Sequence, residues 1–276
     1  MSTQPLVSFS DGRAIPQIGL GVWQTPNDTA IEAVKAALAA GYRHIDTAAA
    51  YRNEEGVGRG IVESGVARGD IFLTTKLWND DQGYDSTLRA MDESLKRLGT
   101  DYVDLYLIHW PSAYRGRFID TWKAFIRLRE EGKARSIGVS NFEGDYLDQI
   151  IDATGVAPVI NQIQLHPRFQ QKAMRAKHAE LGVVTESWSP LGQGKLLEHP
   201  AIAAIAARHG KSPAQVIIRW HLDQGLVVIP KSVTPSRIVE NFAVFDFTLS
   251  DADKAEIAGL DSADGRLGSD PVTAQF

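Results

Sequence analysis

Four residues whose types can move a proton follow predicted strands in the first half of the chain. They are Asp46, Tyr51, Lys76 and His109. A nearby ammonium favours the phenolate form of a tyrosine and is expected to lower its pKa from the ordinary value of about 10. A carboxylate beside the lysine would keep that ammonium charged and oriented. The set therefore predicts proton donation by Tyr51 to a carbonyl oxygen, with His109 donating a hydrogen bond to the same oxygen.

Each of these residues taken alone has an ordinary structural explanation. A lysine at a strand end is commonly solvated, and a single histidine in an apolar run is commonly a core residue. Convergence of all four at one site favours catalysis. Two other functions remain open, namely a cofactor-binding barrel without activity and a lyase that forms a Schiff base on Lys76. A lysine that Asp46 keeps charged is a poor nucleophile, which disfavours the lyase.

These side chains can meet only in a fold that places the ends of several strands side by side. Short apolar runs alternate with amphipathic stretches from near residue 17 to near residue 240, the pattern of repeated β-α units. The eight predicted strands are Gln17–Gly21, Tyr42–Asp46, Ile71–Lys76, Val103–His109, Ser136–Ser140, Val159–Leu165, Val183–Trp188 and Leu226–Ile229. Strands each followed by a helix predict an α/β fold, one (β/α)8 TIM barrel domain over residues 1–276, with its active site at the carboxyl ends of the strands.

Local signals separate this barrel from its main rival, a doubly wound dinucleotide-binding fold. The glycine fingerprint of that fold is missing, because Gly19 and Gly21 are not followed by the third glycine. Apolar stretches on either side of Asp11 and Gly12 predict an N-terminal β-hairpin that closes the barrel bottom. Ser212 begins a predicted helix with a capping box. The tail after residue 260 is predicted to be an irregular surface segment.

Two further groups of residues suggest ligand contacts. Lys231, Ser232 and Arg237 lie between the last predicted strand and a helix opened by Thr234 and Pro235. Free backbone N–H groups and positive charge predict a phosphate site there, although a solvated basic loop is the alternative. Tryptophans follow four strand ends and predict the apolar walls of a pocket. These are Trp23, Trp78, Trp110 and Trp188, of which Trp188 is the candidate to stack on a nicotinamide ring.

Composition narrows the classes of partner. The net charge of −5 gives no basic footprint, so nucleic-acid binding is disfavoured. Apolar runs are too short for a membrane helix, and the first residues lack the features of a secretory signal. Cysteine is absent, and the seven histidines show no zinc-binding spacing, so no metal is expected. These features favour a cytoplasmic monomer that acts on a small molecule.

Three segments resemble the aldo-keto reductase family, and together they are highly specific. They are Gly41–Gly58, Trp122–Asn141 and Ile229–Asn241. The resemblance extends from about residue 6 to about residue 270. It implies a reductase of carbonyl compounds that uses NADPH, with Asp46, Tyr51, Lys76 and His109 as the catalytic tetrad.

The resemblance also implies how these positions would hold NADPH. Ser140, Asn141 and Gln162 would bind the carboxamide, and Trp188 would stack on the nicotinamide. The remaining cofactor contacts would be Ser189 and Leu191 at the pyrophosphate, Lys231, Ser232, Val233 and Arg237 at the 2′-phosphate, and Glu240 and Asn241 near the adenine. Substrate would meet Trp23, Trp78, His109 and Trp110.

A closer resemblance is to the bacterial 2,5-diketo-D-gluconate reductase branch. It rests on Thr74–Asp80, Glu186–Gly194 and Val244–Leu249, and on tryptophan at position 188, where tyrosine is commoner in the wider family. Reduction of 2,5-diketo-D-gluconate to 2-keto-L-gulonate is therefore the implied reaction. The stretch between Trp110 and Phe118 and the tail are both short, which predicts a shallower, more permissive site. Methylglyoxal and β-keto esters are alternative substrates.

Overall fold

The computed structural model describes residues 4–276. That part of the chain begins with an antiparallel hairpin of β1 (Leu6–Ser8) and β2 (Ala14–Pro16). Eight parallel strands follow in one sheet, each paired with the next in chain order. They are β3 (Leu20–Gly21), β4 (His44–Asp46), β5 (Phe72–Leu77), β6 (Val103–Ile108), β7 (Ala134–Ser140), β8 (Ile160–Gln164), β9 (Val184–Trp188) and β10 (Val227–Val228). Each predicted strand is present, and the barrel prediction is confirmed.

Ten α-helices accompany the strands in the described residues 4–276. They are α1 (Asn27–Ala40), α2 (Glu54–Ser64), α3 (Tyr84–Leu98), α4 (Phe118–Glu130), α5 (Gly144–Thr154), α6 (Lys172–Leu181), α7 (Pro200–His209), α8 (Pro213–Asp223), α9 (Pro235–Phe242) and α10 (Asp251–Ala258). Ser212 caps α8 with the predicted box, accepting from the Gln215 amide. Helix α9 begins at Pro235 as expected, but the Thr234 side chain makes no capping hydrogen bond. None of these helices is long and apolar enough to cross a bilayer.

The first and last strands close the barrel through main-chain hydrogen bonds. The Gly19 amide donates to the Val228 carbonyl at 2.9 Å, and the Val228 amide donates to the Gln17 carbonyl at 2.9 Å. Parallel bridges join Ile18 to Val228 and Gly21 to Lys231. Because a closed sheet has no free edge, the backbone groups of β3 and β10 are paired and the strand ends are held in a ring.

The hairpin covers the amino-terminal end of the barrel, as predicted. Phe9 and Ile15 are buried in a cluster with Leu105 of β6 and Val227 of β10. The Ser136 hydroxyl of β7 donates to the Asp11 carboxylate at the hairpin turn, at 2.7 Å. Closing this end leaves the opposite end, where the strands finish, as the open mouth of the barrel.

Two glycines allow α2 to pack directly on its neighbours. A Cβ atom at Gly56 would lie 2.3 Å from the Asn27 carbonyl oxygen, and one at Gly58 would lie 2.2 Å from the Leu98 carbonyl oxygen. Distances this short require backbone movement in α1 or α3. Since the chain enters α2 directly after the loop that carries Tyr51, this packing also anchors that loop.

Replacing Gly58 with alanine is therefore expected to lower the free energy of unfolding by about 1–3 kcal/mol, because the added methyl overlaps the α3 backbone. Denaturant unfolding would measure the effect. Gly69→Ala is the matched control, since a Cβ there meets nothing within 4 Å. Equal stability of the two variants would contradict the packing argument.

Candidate active site

An ion pair between Asp46 and Lys76 lies inside the carboxyl end of the barrel. Asp46 ends β4 and pairs with Thr74 of β5, so Lys76 stands two residues further along the same face. The Lys76 Nζ donates to Asp46 Oδ1 at 2.5 Å and to the Thr47 carbonyl oxygen at 2.9 Å. Both charged side chains are buried. The strand register therefore brings together two of the residues that the sequence singled out.

The lysine remains charged in this setting. Burial lowers the pKa of Lys76, but the neighbouring acidic groups, Asp46 first, outweigh it and raise that pKa above 10.5. Burial raises the pKa of the Asp46 carboxyl, and Lys76 opposes that shift. His44, Asp46 and Glu186 offer possible metal-ligand atoms within 4.8 Å of one another, but the ammonium already supplies their positive charge and we assign no ion there. A lysine held protonated argues against the Schiff-base lyase.

Tyr51 lies over this ion pair on a short 3-10 helix, Ala49–Tyr51, that follows β4. Its hydroxyl is 3.5 Å from Lys76 Nζ. Desolvation raises the pKa of Tyr51 above 10, and the Lys76 charge lowers it by less. The expected lowering of this pKa was therefore wrong in its net direction, because loss of water outweighs the ammonium. The phenol keeps its proton, which is the form that a proton donor requires.

His109 follows β6 and meets the rings of Tyr51 and Trp78 edge-on, at centroid distances of 5.6 and 5.4 Å. Burial and the Lys76 charge lower its pKa well below 6.5, so the imidazole is neutral. A neutral imidazole still carries one N–H donor. His109 can therefore donate one hydrogen bond without adding a second positive charge beside Lys76.

These groups form the floor of a cavity of about 940 Å³ at the barrel mouth. Most of the residues predicted from the sequence line it. They are Asp46, Tyr51, His109, Ser140, Asn141, Gln162, Trp188, Ser189, Lys231, Trp23, Trp78 and Trp110. Lys76 lies beneath this lining. Outside it are Leu191, which packs half-buried on the core, and Ser232, Val233, Arg237, Glu240 and Asn241, which belong to the segment around α9.

A hydrogen-bonded group forms one wall of the cavity. Asn141 adopts a left-handed backbone, with φ of 61°, which asparagine tolerates better than most residues. Its Nδ2 donates to the His109 carbonyl oxygen at 3.0 Å, and its Oδ1 accepts from the Trp188 indole N–H at 2.8 Å. The Ser140 hydroxyl donates to the Gln162 carbonyl oxygen at 2.8 Å. These bonds link the ends of β6, β7, β8 and β9 into one rigid surface.

The basic segment, residues 231–237, lies at the rim of the cavity. Lys231 follows β10 and lines the cavity, whereas Arg237 is exposed on the first turn of α9. Pro235 occupies the first helical position, and Thr234 does not cap the helix. Free N–H groups at a helix start, beside two cations, suit an anionic group.

The comparison with protein families gives a direct result. The model of the aldo/keto reductase family matches residues 17–262. The chain belongs to the aldo/keto reductase family.

Several reductases of this family resemble the chain over nearly its whole length. An aldo-keto reductase of Mycobacterium sp. (strain JLS) is 58% identical over 272 residues, covering 99% of this chain and 98% of the relative. Methylglyoxal reductase DkgA of Escherichia coli (strain K12) is 52% identical over 273 residues, covering 98% of each. A mutant of Gox0644, solved in complex with NADPH, superposes with a TM-score of 0.96 at 54% identity, covering 100% of each chain.

The tail of this reductase contributes to the site in a way that sequence reasoning missed. It is irregular, as predicted, but Gly268, Ser269 and Phe276 line the cavity. The Phe276 ring lies parallel to Trp78 at a centroid distance of 6.0 Å and edge-on to Trp110 at 5.1 Å. The tail therefore adds a wall to the site, which the short loop and tail had predicted to be shallow. Neither periodicity nor a turn motif marks these residues, so the sequence carries no local signal for their position.

Proposed function

We propose that this reductase uses NADPH to convert ketone and aldehyde carbonyls to alcohols, with residues 1–276 forming one catalytic domain. The observation that carries the proposal is the Tyr51 hydroxyl, 3.5 Å from the Lys76 ammonium on the floor of the cavity. The protonated phenol of Tyr51 can donate a proton. The charged Lys76 and the neutral His109 lie beside it as hydrogen-bonding groups. Family membership and the NADPH complex of a relative support the choice of cofactor.

The proposed chemistry divides between cofactor and protein. NADPH, when bound, supplies the hydride to the carbonyl carbon. Tyr51 donates its proton to the carbonyl oxygen as negative charge develops there. Lys76 stabilises the phenolate that remains, and Asp46 keeps the ammonium in place. His109 donates a hydrogen bond that orients the carbonyl oxygen over Tyr51.

The described residues suit this cofactor at both of its ends. At the cavity floor, Ser140, Asn141 and Gln162 offer amide and hydroxyl groups for the carboxamide, and Trp188 offers an aromatic wall for the nicotinamide. At the rim, Lys231 and Arg237 offer positive charge for the 2′-phosphate. The other proposed contacts are Ser189 and Leu191 for the pyrophosphate, Ser232 and Val233 beside the 2′-phosphate, and Glu240 and Asn241 near the adenine.

Small dicarbonyl compounds are the proposed substrates, acted on by a cytoplasmic monomer. The cavity has aromatic walls in Trp23, Trp78 and Trp110, and charged side chains besides the catalytic ones also line it, among them Arg52, Glu55 and Lys231. Such walls would suit carbonyl compounds of several shapes. Relatives named methylglyoxal reductase support methylglyoxal beside 2,5-diketo-D-gluconate, while β-keto esters remain an alternative.

A substrate panel tests the proposed reaction. We expect loss of NADPH absorbance with 2,5-diketo-D-gluconate or methylglyoxal and weaker turnover with NADH, and the alcohol product would be identified by chromatography. The same panel includes β-keto esters. If no carbonyl compound of the panel causes oxidation of NADPH, the proposal is contradicted.

Substitution of Arg237 tests the proposed 2′-phosphate contact. Arg237→Ala is expected to raise the KM for NADPH roughly tenfold, because one charge-assisted hydrogen bond is lost, and to leave the KM for NADH nearly unchanged. Initial-rate kinetics with both cofactors would measure it. Lys123→Ala, which removes an exposed cation from α4, is the control. A parallel rise in both KM values would contradict the assignment.

A further inference from the structure

A buried carboxyl with no role so far lies beneath the catalytic groups. Glu186 is in the middle of β9, and its side chain is fully buried. Its Oε2 accepts from Gln162 Nε2 at 2.9 Å. Its Oε1 has no hydrogen-bond partner among residues 4–276, and the nearest histidine nitrogen, His44 Nε2, is 3.8 Å away. A buried acid in such a position needs an explanation beyond packing.

Glu186 helps to determine which end of the Gln162 amide meets the cavity. The Gln162 Nε2 donates to Asp46 Oδ2 at 2.8 Å as well as to Glu186 Oε2. The ionised Asp46 oxygen can only accept, so the amide nitrogen must occupy this position, and its second N–H then reaches Glu186 Oε2. The carbonyl oxygen of the amide is then the end left for a ligand in the cavity that Gln162 lines. A carboxamide N–H is a suitable donor to that oxygen.

The charges around Glu186 favour its neutral form. Facing it are His44 and Asp46 from β4, Lys76 from β5 and Tyr51 from the following loop, while β8 presents the neutral Gln162. Burial, and then the charge of Asp46, raise the pKa of Glu186 to about 8. Burial lowers the pKa of His44 to about 3, so this imidazole carries no charge. The Lys76 ammonium therefore balances one carboxylate, that of Asp46.

Ionisation of Glu186 would disturb this balance. A second carboxylate beneath the site would have no cation of its own. Its charge raises the pKa of Tyr51 and makes the phenol a weaker acid. The effect would grow as the pH rises past the pKa of Glu186.

We propose that Glu186 is a positioning residue, which turns the Gln162 carbonyl oxygen towards the carboxamide of the cofactor and, while uncharged, preserves the acidity of Tyr51. The inference rests on the proposed function, because it assigns Gln162 to NADPH. It goes beyond that function because it assigns a role to Glu186, beneath Tyr51, and this role depends on whether the Glu186 carboxyl is protonated. Glu186 acts through Gln162 and Tyr51 and touches no reacting atom.

Two substitutions separate orientation from charge. Glu186→Gln keeps an acceptor for Gln162 and cannot ionise, so NADPH binding is expected to stay within about twofold of wild type. Glu186→Leu removes one of the two acceptors of the Gln162 amide, which leaves only Asp46 to hold it, and is expected to weaken NADPH binding by up to roughly tenfold. Quenching of tryptophan fluorescence by NADPH would measure both dissociation constants. The kcat of the wild type should fall above about pH 8, and that fall should be absent from Glu186→Gln.

The proton itself can be observed in the cofactor-free protein. Infrared spectroscopy should show a buried carboxylic acid band that disappears as the pH passes about 8 and is absent from Glu186→Gln. Thermal unfolding gives a second readout. Because the folded protein holds a proton that the unfolded chain releases above pH 4.5, wild-type stability should fall between pH 4.5 and about 8. The Tm advantage of Glu186→Gln should therefore increase across this window.

Asp104→Asn is the matched control, since Asp104 is a buried carboxylate at the opposite end of the barrel, bound to Arg68 at 2.8 Å. It should lower stability without changing the pH profile of kcat. An active wild type whose Glu186→Leu variant binds NADPH equally well, with an unchanged pH profile, overturns the inference alone. A wild type that neither binds nor oxidises NADPH overturns the proposed function, and the role of Glu186 with it.

Discussion

Substitution of Tyr51 with phenylalanine is expected to lower kcat by about 10²- to 10⁴-fold, the usual contribution of a positioned general acid. Phenylalanine keeps the ring that packs edge-on against His109 and removes the hydroxyl near Lys76. The NADPH dissociation constant should change by no more than about twofold, because the ring volume is retained. Steady-state kinetics and fluorescence titration would measure the two effects separately.

The control for this prediction is Tyr84→Phe, which removes an exposed hydroxyl at the start of α3. It should leave kcat unchanged. Turnover by Tyr51→Phe at a rate close to wild type would exclude the phenol as proton donor. An equal loss of kcat and of NADPH binding would instead indicate damage to the cavity.

Substitution of Lys76 with methionine is expected to abolish most turnover and to lower the free energy of unfolding by about 3–5 kcal/mol. Methionine has a similar length but leaves the Asp46 carboxylate buried without its cation. The loss of stability should lessen as the pH falls, because the unpaired carboxyl then takes up a proton. Chemical denaturation at several pH values would measure this dependence.

A double variant distinguishes the structural effect of Lys76 from its catalytic one. Asp46→Asn combined with Lys76→Met removes both charges, so stability should return towards wild type. Turnover should remain low, since the ammonium near Tyr51 is still missing. Recovery of turnover in the double variant would show that Lys76 serves packing alone.

The chain shows why strands and strand-end residues can be predicted from sequence. The largely apolar run in Val103–His109 predicts a strand buried on both faces, and the last residue of that strand must lie at the carboxyl end of the barrel. The same reasoning applies to Asp46 and Lys76. Each inference requires only local periodicity and the rule that parallel strands finish at the same edge.

The direction of the Tyr51 pKa could not be predicted in this way. The types of its neighbours correctly indicated that Lys76 lowers this pKa. How far water is removed from the hydroxyl depends on the packing of distant segments, and desolvation is the larger effect. The position of Glu186 beneath the site could not be predicted from the sequence for a related reason. Its carboxyl meets Gln162, 24 residues away in the chain, and Gln162 in turn meets Asp46, 116 residues further away, only after the barrel closes.

The sequence by itself determined the elements of this reductase, the closing hairpin and the identity of the residues at the strand ends, because these follow from short-range patterns. Tertiary structure decided how far Tyr51 lies from Lys76, that Phe276 packs against Trp78, and that Glu186 is enclosed without a counter-charge. The physical reason is that distance, desolvation and charge balance arise from contacts between segments remote in the chain. No short stretch of sequence encodes them.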